Sequence, residues 1–490
     1  MNILFINPFI EGYSRSVTTP LGLLSIASFL EKNGYEVRLY DRTVEKISLK
    51  KVLAEFAPDV AGVSLISYKS FNDALRVSEQ IKALGIPVIW GGPLASELPE
   101  AVLKNDCVDA VSIGEGEVTW LEIANAVKEG NTEWNTIAGL ALRTDRGSCV
   151  RTAERGFIDL GSLPDIDWRL IQVERYFQTS YSCKRMLYLY AAKGCPHNCS
   201  FCYNKDFHRC TYRKRPINAV LREIQHLVKN YGMDGVYFAD ELWCRNKKEM
   251  RETCDSLSSL GLDFVWGGQT RIGLFNEEDF RYMYNAGCRW LFFGVESGSK
   301  RVLSAMNKHI EYDKIEQTFI DCHRAGIVAI GSFIIGFPGE TPEDAKETVR
   351  LIQRLDTSLI NLNCFIVVPC SDIYYKLIEE GKYSPITDLR DITENDPIMN
   401  LAYNFSEIPE KEIKVIQASI MWRSFLSNDI LEKGKKISFT KKVITDALKH
   451  IKSGNLRSLF LSVRSSAMEL FHIFFYAHAY PDIRKKYGIK

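Results

Sequence analysis

Two blocks of this chain alternate short apolar runs of strand length with stretches whose apolar residues recur at helical spacing, and that alternation restricts the fold more than anything else in the sequence. In the first block the strand-like runs are residues 3–8, 36–41, 60–66, 87–92 and 110–114, with helical patterns at 21–33 and 71–84 between them. Strands spaced by helices specify right-handed crossovers and a parallel sheet. Residues 1–130 are therefore expected to form a five-stranded, doubly wound Rossmann-like domain. A second alternation has strand candidates at 186–192, 235–239, 263–268, 290–295, 329–335 and 359–368, with helical patterns such as 217–231 and 312–325. Six repeats suggest a partial (β/α)6 TIM-like barrel over residues 185–380, whose chemistry would sit at the carboxyl ends of its strands. Residues 131–184, with Gly147, Pro164 and little periodicity, read as a linker, and residues 381–490 as a mostly helical, basic region. The fold class is α/β.

Lys+Arg 62 against Asp+Glu 61 excludes a surface that is basic all over, and no nucleic-acid partner is expected. The start of the chain lacks a signal-peptide pattern, and no apolar run reaches the ~18 residues of a membrane span. A cytoplasmic protein is the expectation. Thirteen cysteines, an odd and scattered set, do not read as a disulfide framework. In a reducing compartment they point to metal or redox chemistry.

Directly after the first barrel strand comes Lys193-Gly194-Cys195-Pro196-His197-Asn198-Cys199-Ser200-Phe201-Cys202-Tyr203. Three thiolates spaced by three and then two residues can face one point, as a cuboidal iron–sulfur cluster requires, and leave one iron open to a ligand. Zinc is the alternative, since His197, His208 or Cys210 can supply a fourth ligand. Position argues against it, because the loop follows a barrel strand, where catalysis belongs.

The Cys195-x3-Cys199-x2-Cys202 loop, with Phe201 before its last cysteine, resembles the cluster loop of the radical S-adenosylmethionine superfamily. The likeness continues through Phe238-Ala239-Asp240-Glu241, Thr270-Arg271, Gly294-Val295-Glu296-Ser297-Gly298 and Gly336-Phe337-Pro338-Gly339-Glu340-Thr341. With the upstream domain, the chain is similar over residues 1–375 to the cobalamin-binding subgroup, which includes radical methyltransferases and the anaerobic oxidative cyclase of bacteriochlorophyll synthesis. The resemblance implies that Cys195, Cys199 and Cys202 hold a [4Fe–4S] cluster. It also implies that Asp240, Glu241, Arg271, Glu296 and Ser297 approach S-adenosylmethionine, while Phe201 and Gly336 approach its adenine. The charged residues of this set can also be read as barrel-rim ion pairs. Glu296 ends an apolar strand and needs a partner if buried, for which Arg271 is the candidate.

In the first domain, Ser64 and Ser67, Gly91 and Gly92, and Gly114, Glu115 and Gly116 follow three successive strands, and small residues there would let a flat cobalamin approach the backbone. Ordinary turns between strand and helix are the plainer reading of any one of them. Many cobalamin domains place a histidine under the cobalt in an Asp-x-His-x-x-Gly loop. Here the loop begins Asn7-Pro8-Phe9, and no histidine precedes His197. Bound cobalamin would then be base-off, which suits methyl transfer, or the domain is a relic without corrin. A second departure is Val368-Pro369-Cys370, where relatives often carry glycine. Cys370 is either a packed small hydrophobe or a hydrogen-atom or proton donor.

Residues 411–490 carry a net charge of +10 and the preceding 410 residues −9. Lys433, Lys435, Lys436, Lys441, Lys442, Lys449 and Lys452 interleave with Leu456, Phe460, Leu470 and Phe474, as in helices that lie in a membrane interface. A helical cap with a solvated basic face is the alternative.

The resemblance implies a cobalamin-dependent radical methyltransferase that methylates an unactivated carbon by way of a 5'-deoxyadenosyl radical and methylcobalamin. Oxidative cyclisation or carbon–carbon coupling of a lipid or other anionic hydrophobic substrate is the other enzymatic reading. A sensor role lacks a recognisable DNA-binding element, and methylthiolation of transfer RNA lacks a second cluster-ligand set. The implied partners are a small-molecule or lipid substrate and an electron donor such as flavodoxin or ferredoxin.

Overall fold

The computed structural model describes residues 1–10, 17–131, 133–144, 147–180, 182–355, 359–390, 404–426 (423–426 as backbone only), 476 and 479–489. They fall into two compact units. The first comprises Met1–Gln178, Lys184–Asp234 and Val367–Asn400, and the second Thr179–Cys183, Gly235–Ile366 and Leu401–Lys490.

In the first unit, β1 (Asn2–Asn7), β2 (Glu36–Asp41), β3 (Val60–Ser64), β4 (Val88–Gly91) and β5 (Ala110–Ser112) are the five strands read from the alternation, each ending within two residues of the expected limit. They pair in parallel in the order β2-β1-β3-β4-β5. Their apolar runs lie between helices on the two faces of the sheet, which is why they lack polar alternation. The helices are α1 (Leu21–Lys32), α2 (Leu49–Phe56), α3 (Phe71–Lys82), α4 (Pro93–Glu97), α5 (Pro99–Val102) and α6 (Glu117–Lys128). Trp90 is fully buried, and its indole N–H donates to Ser78 Oγ at 2.8 Å. Phe5 and Trp120 pack edge to face with centroids 4.6 Å apart, in space that only Gly62 leaves free.

The linker expectation fails here. Residues 131–184 supply β6 (Leu140–Arg143) and β7 (Cys149–Arg151), which extend the sheet antiparallel beyond β5 to seven strands.

The first unit also contains β8 (Met186–Leu189), β9 (Ala192–Lys193), α7 (Asn204–Phe207), β10 (Arg213–Lys214) and α8 (Ile217–Tyr231). The division into units thus falls inside the expected 185–380 domain rather than at residue 185. The second unit is built on β11 (Gly235–Phe238), β12 (Val265–Thr270), β13 (Cys288–Glu296), β14 (Val328–Ile335) and β15 (Leu359–Cys364), each parallel to the next. All six strands of the second alternation are therefore present. Between the strands of the second unit run α9 (Lys247–Ser259), α10 (Glu277–Asn285), α11 (Lys300–Ala305), α12 (Ile315–Arg324) and α13 (Pro342–Arg354). Asn276 and Thr341 start α10 and α13 with capping boxes, each closed by an aspartate three residues on. In the first unit α14 (Asp372–Glu379) follows Cys370. Helix Glu410–Leu426 lies on β15, where Gln417 Nε2 donates to the Leu362 carbonyl at 3.0 Å. Parallel strands bring the carboxyl ends of β11, β12, β13 and β14 to one end of the second unit, and every residue expected at S-adenosylmethionine except Phe201 ends one of those strands or lies in the segment that follows it.

Candidate active site

The cysteine loop joins β9 to α7, and its three cysteines are half-buried and in no disulfide. Asn204, which the motif reading passed over, ties the loop together. Its Oδ1 accepts from the Cys195 N–H at 2.9 Å, and its Nδ2 donates to the carbonyls of Cys195 (2.6 Å) and His197 (3.1 Å). Asn204 is 1% exposed, and its place directly behind the metal-loop motif was the signal available in the sequence. The Ile373 N–H at the start of α14 donates to the Ser200 carbonyl at 2.9 Å. Gly194 has φ +82°, and a Cβ there would stand 2.3 Å from the Thr211 carbonyl oxygen, so the residue before the first cysteine has to be glycine. As placed, no three His, Cys, Asp or Glu side chains among the described residues form a group set to hold a metal ion. Thiolate ligands on one loop reach their final geometry only around the metal. The donor set, three thiols and no carboxylate on a braced loop, fits an iron–sulfur cluster.

At the strand ends of the first domain the expected residues divide by role. A Cβ on Gly92 (φ +96°) would come within 3.0 Å of the Leu65 carbonyl oxygen, and one on Gly116 within 2.6 Å of Ile26 Cδ1, so both glycines have packing reasons of their own. Gly114, at φ +76°, faces nothing within 4 Å, and a Cβ on Gly91 would meet only Ser112 at ordinary contact distance. Ser64 is buried at the end of β3, and Ser67 caps a single turn by accepting from the Lys69 N–H at 3.3 Å. Glu115 is ion-paired to Arg213 at 2.8 Å and Lys193 at 3.3 Å. Burial opposes its ionisation, but these two cations outweigh burial and hold the carboxyl below the usual range.

Phe9 and Ile66, 43% and 56% exposed, follow the neighbouring strands β1 and β3, whose register pairs Ile6 with Val63. The Phe9 N–H donates to Asp73 Oδ2 at 2.8 Å, and Arg42 holds that carboxylate at 2.6 Å. Two large apolar side chains exposed at neighbouring parallel-strand carboxyl ends fit a flat apolar ring.

Next to Gly114 lies a cavity of about 370 Å³ whose lining includes Glu97, Phe157, Asp206, Cys370 and Tyr375. The Cys370 thiol donates to the Glu97 carbonyl at 3.2 Å and shares a hydrogen bond with Tyr375. Cys370 has φ +61°, in the left-handed region that favours glycine. Burial pushes its thiol above the ordinary value. Burial first, and Asp206 second, push the Glu97 carboxyl up to about 8, and its Oε1 is buried without a hydrogen-bond partner. Two proton-bearing groups whose ionisation burial opposes, the Glu97 carboxyl and the Cys370 thiol, therefore stand on the cavity wall.

At the carboxyl end of the second unit, Asp240 is 1% exposed and Glu241 half-buried. The Arg271 guanidinium donates to the His309 carbonyl and makes no ion pair with Glu296, contrary to expectation. Lys308 is the partner instead, with Nζ 2.8 Å from Glu296 Oε1 and both side chains about nine-tenths buried. A register shift after Gly294 sets Glu296 at φ +68°. The Ser297 hydroxyl meets Thr348 Oγ1 at 3.2 Å and accepts from the Ser299 N–H at 3.1 Å. Gly336 and Phe337 donate their N–H groups to Glu340 Oε2 at 2.5 and 3.1 Å. Glu340 is fully buried with Oε1 unpartnered, and burial pushes it up to about 8 against those two hydrogen bonds. Thr270 Oγ1, also buried without a partner, ends β12. An orphaned hydroxyl and Glu296 at adjacent strand ends fit a polar ligand such as the methionyl or ribose part of S-adenosylmethionine.

Residues 189–352 match the model of the radical SAM superfamily and residues 11–124 that of the B12 binding domain. The chain is a radical SAM enzyme of the group that carries a B12 binding domain. It is 28% identical over 444 residues to an uncharacterized methyltransferase of Pyrococcus horikoshii, covering 88% of this chain and 95% of that one. It is 27% identical over 392 residues to the anaerobic magnesium-protoporphyrin IX monomethyl ester cyclase of Rubrivivax gelatinosus, covering 77% and 70%. Among solved structures, the radical S-adenosylmethionine methyltransferase TsrM from Kitasatospora setae, with tryptophan substrate and a SAM analogue bound, superposes with a TM-score of 0.65 at 21% identity. That match covers 77% of this chain and 76% of TsrM and shows a shared fold.

Proposed function

We propose that this chain is a cobalamin-dependent radical SAM methyltransferase acting on an unactivated carbon of a small-molecule substrate. The observation that carries the reading is the joining, in one chain, of a B12 binding domain to a radical SAM domain whose cysteine loop follows a barrel strand. When bound, the cluster supplies the electron that cleaves S-adenosylmethionine to the 5'-deoxyadenosyl radical, and cobalamin carries the methyl group. The chain's own part is binding, orientation and exclusion of water. Cys195, Cys199 and Cys202 hold the cluster on a loop braced by Asn204. Asp240, Glu241, Arg271, Glu296 and Ser297 bind S-adenosylmethionine with Phe201 and the Gly336 turn, and Lys308 pairs with Glu296. Ser64, Ser67, Gly91, Gly92 and Gly114–Gly116 would hold cobalamin, with Phe9 and Ile66 exposed at the ends of β1 and β3. Cys370 is a hydrogen-atom or proton donor on the wall of the Glu97 cavity.

Anaerobic reconstitution followed by product analysis tests the reading. S-adenosylhomocysteine formed together with 5'-deoxyadenosine and a methylated product is expected. 5'-Deoxyadenosine alone would shift the assignment to oxidative cyclisation or coupling, which the cyclase relatives support. Because the β1 loop offers Phe9 and no histidine, the bound cobalamin should give a base-off spectrum, and a lack of corrin absorbance after loading would remove the cofactor from the scheme. We infer flavodoxin or ferredoxin as the class of electron donor and an anionic apolar molecule, a lipid among the candidates, as substrate. Peripheral membrane contact through the basic carboxyl-terminal region belongs to the same reading.

A further inference from the structure

Lys193 stands two residues before the first cluster cysteine, on a strand paired with β10 in the register Lys193↔Arg213. Facing this pair is the loop that leaves β5. Lys193 Nζ lies 3.3 Å from both Glu115 Oε1 and Glu117 Oε1, and Arg213 is 2.8 Å from Glu115. Further bonds fix both carboxylates, since Ser25 on α1 donates to Glu117 at 2.6 Å and the Ile158 N–H to Glu115 at 3.2 Å. The guanidinium of Arg213 in turn rests on the Phe157 ring, 4.1 Å from its centroid. Side-chain exposure is 3% for Glu117, 8% for Glu115 and 19% for each cation, so this is an interior network. Apolar residues of the same volume would stabilise the fold at least as well, because buried ions lose their hydration. What the ions add is a fixed relation between two backbone segments. One segment is Gly114–Glu117, at the carboxyl end of a strand in the B12 binding domain. The other runs without slack into the cysteine loop, because Gly194 is held against the Thr211 carbonyl.

We propose that Lys193, through Glu115 and Glu117, is a positioning residue that couples the cobalamin-side loop to the cluster loop, so that loading either cofactor favours loading of the other. This rests on the reading that both cofactors bind. Such coupling is reciprocal and can be read from one side. The experiment is an absorbance titration with hydroxocobalamin of wild-type protein, with the cluster reconstituted and without it. The loaded protein should bind at least about fivefold more tightly, the lower end of measurable coupling. Lys193→Met should bring that ratio close to one, and Lys193→Arg should restore it, an outcome that mere destabilisation would not produce. Glu117→Gln keeps the volume and the hydrogen bond from Ser25, should lower the ratio in the same direction, and decides the matter if the methionine variant does not fold. Equal affinities for loaded and unloaded wild type, or a wild-type ratio in both variants, would overturn the proposal. Wild-type protein that binds no cobalamin in either state would instead overturn the functional reading on which it rests.

Discussion

Cys370 combines a left-handed backbone, a half-buried thiol and a place on a cavity wall. A side chain at positive φ costs about 1–2 kcal/mol that glycine avoids. Cys370→Gly and Cys370→Ala both delete the thiol, but only glycine relieves the backbone. Denaturant titration should find the glycine variant more stable than the alanine variant by about 1 kcal/mol. Both should lose substrate turnover if the thiol delivers a hydrogen atom or proton, while cleavage of S-adenosylmethionine persists. Full turnover by Cys370→Ala would leave the cysteine with a packing role alone. Glu296 gives a second test on the same scale. Lys308→Met would leave a buried carboxylate unpaired, an event that costs about 3–5 kcal/mol. Denaturant melts should record that loss, and a loss under about 1 kcal/mol would mean that solvent reaches the pair.

The turn Gly336–Glu340 shows how an element is held by one side chain. Glu340 accepts from two backbone N–H groups while burial raises its carboxyl from the ordinary 4.5 to about 8. A folded-state value above the unfolded one favours the protonated form, so the stabilisation is complete below about pH 4.5 and is lost as pH rises through about 8. Glu340→Gln retains a carbonyl acceptor and cannot ionise. Its melting temperature should therefore change less between pH 5 and pH 8 than that of the wild type, and parallel profiles would exclude the assignment. The strands and helices on either side of this turn were legible because buried parallel strands are continuous apolar runs and amphipathic helices repeat at helical spacing. The hairpin β6–β7 was not, because Leu140–Arg143 is four residues long and Cys149–Arg151 is half exposed, too short and too polar to show a period. Motif spacing likewise exposed the three cluster cysteines. The supporting partners stayed hidden because they are tertiary: Lys308 reaches Glu296 across a turn and a helix, and Lys193 meets Glu115 from 78 residues away. Arg271 looked like the partner of Glu296 only because it follows the neighbouring strand.

On the scale of the whole molecule, the near-zero net charge conceals a carboxyl-terminal region of +10 and a remainder of −9. Within the described residues part of that positive charge is already engaged, since Lys486 pairs with Glu412 at 2.7 Å. Lys433, Lys435, Lys436, Lys441, Lys442, Lys449, Lys452, Leu456, Phe460, Leu470 and Phe474 lie outside the described residues, and the argument for them remains one of sequence. Among the described residues no helix is long and apolar enough to cross a membrane. Each lysine near an anionic surface contributes about 1 kcal/mol at low salt, and a cluster of five would dominate the attachment. The protein should then co-sediment with vesicles containing phosphatidylserine or phosphatidylglycerol, ignore vesicles of phosphatidylcholine alone, and detach as salt shortens the reach of the charges. Replacing Lys433, Lys435, Lys436, Lys441 and Lys442 by glutamate should abolish sedimentation while leaving S-adenosylmethionine cleavage intact, because these residues lie beyond the matched radical SAM segment, which ends at residue 352. If the wild type stays in solution with anionic vesicles at low salt, the basic segment is a solvated cap, and an anionic substrate becomes the better account of its charge.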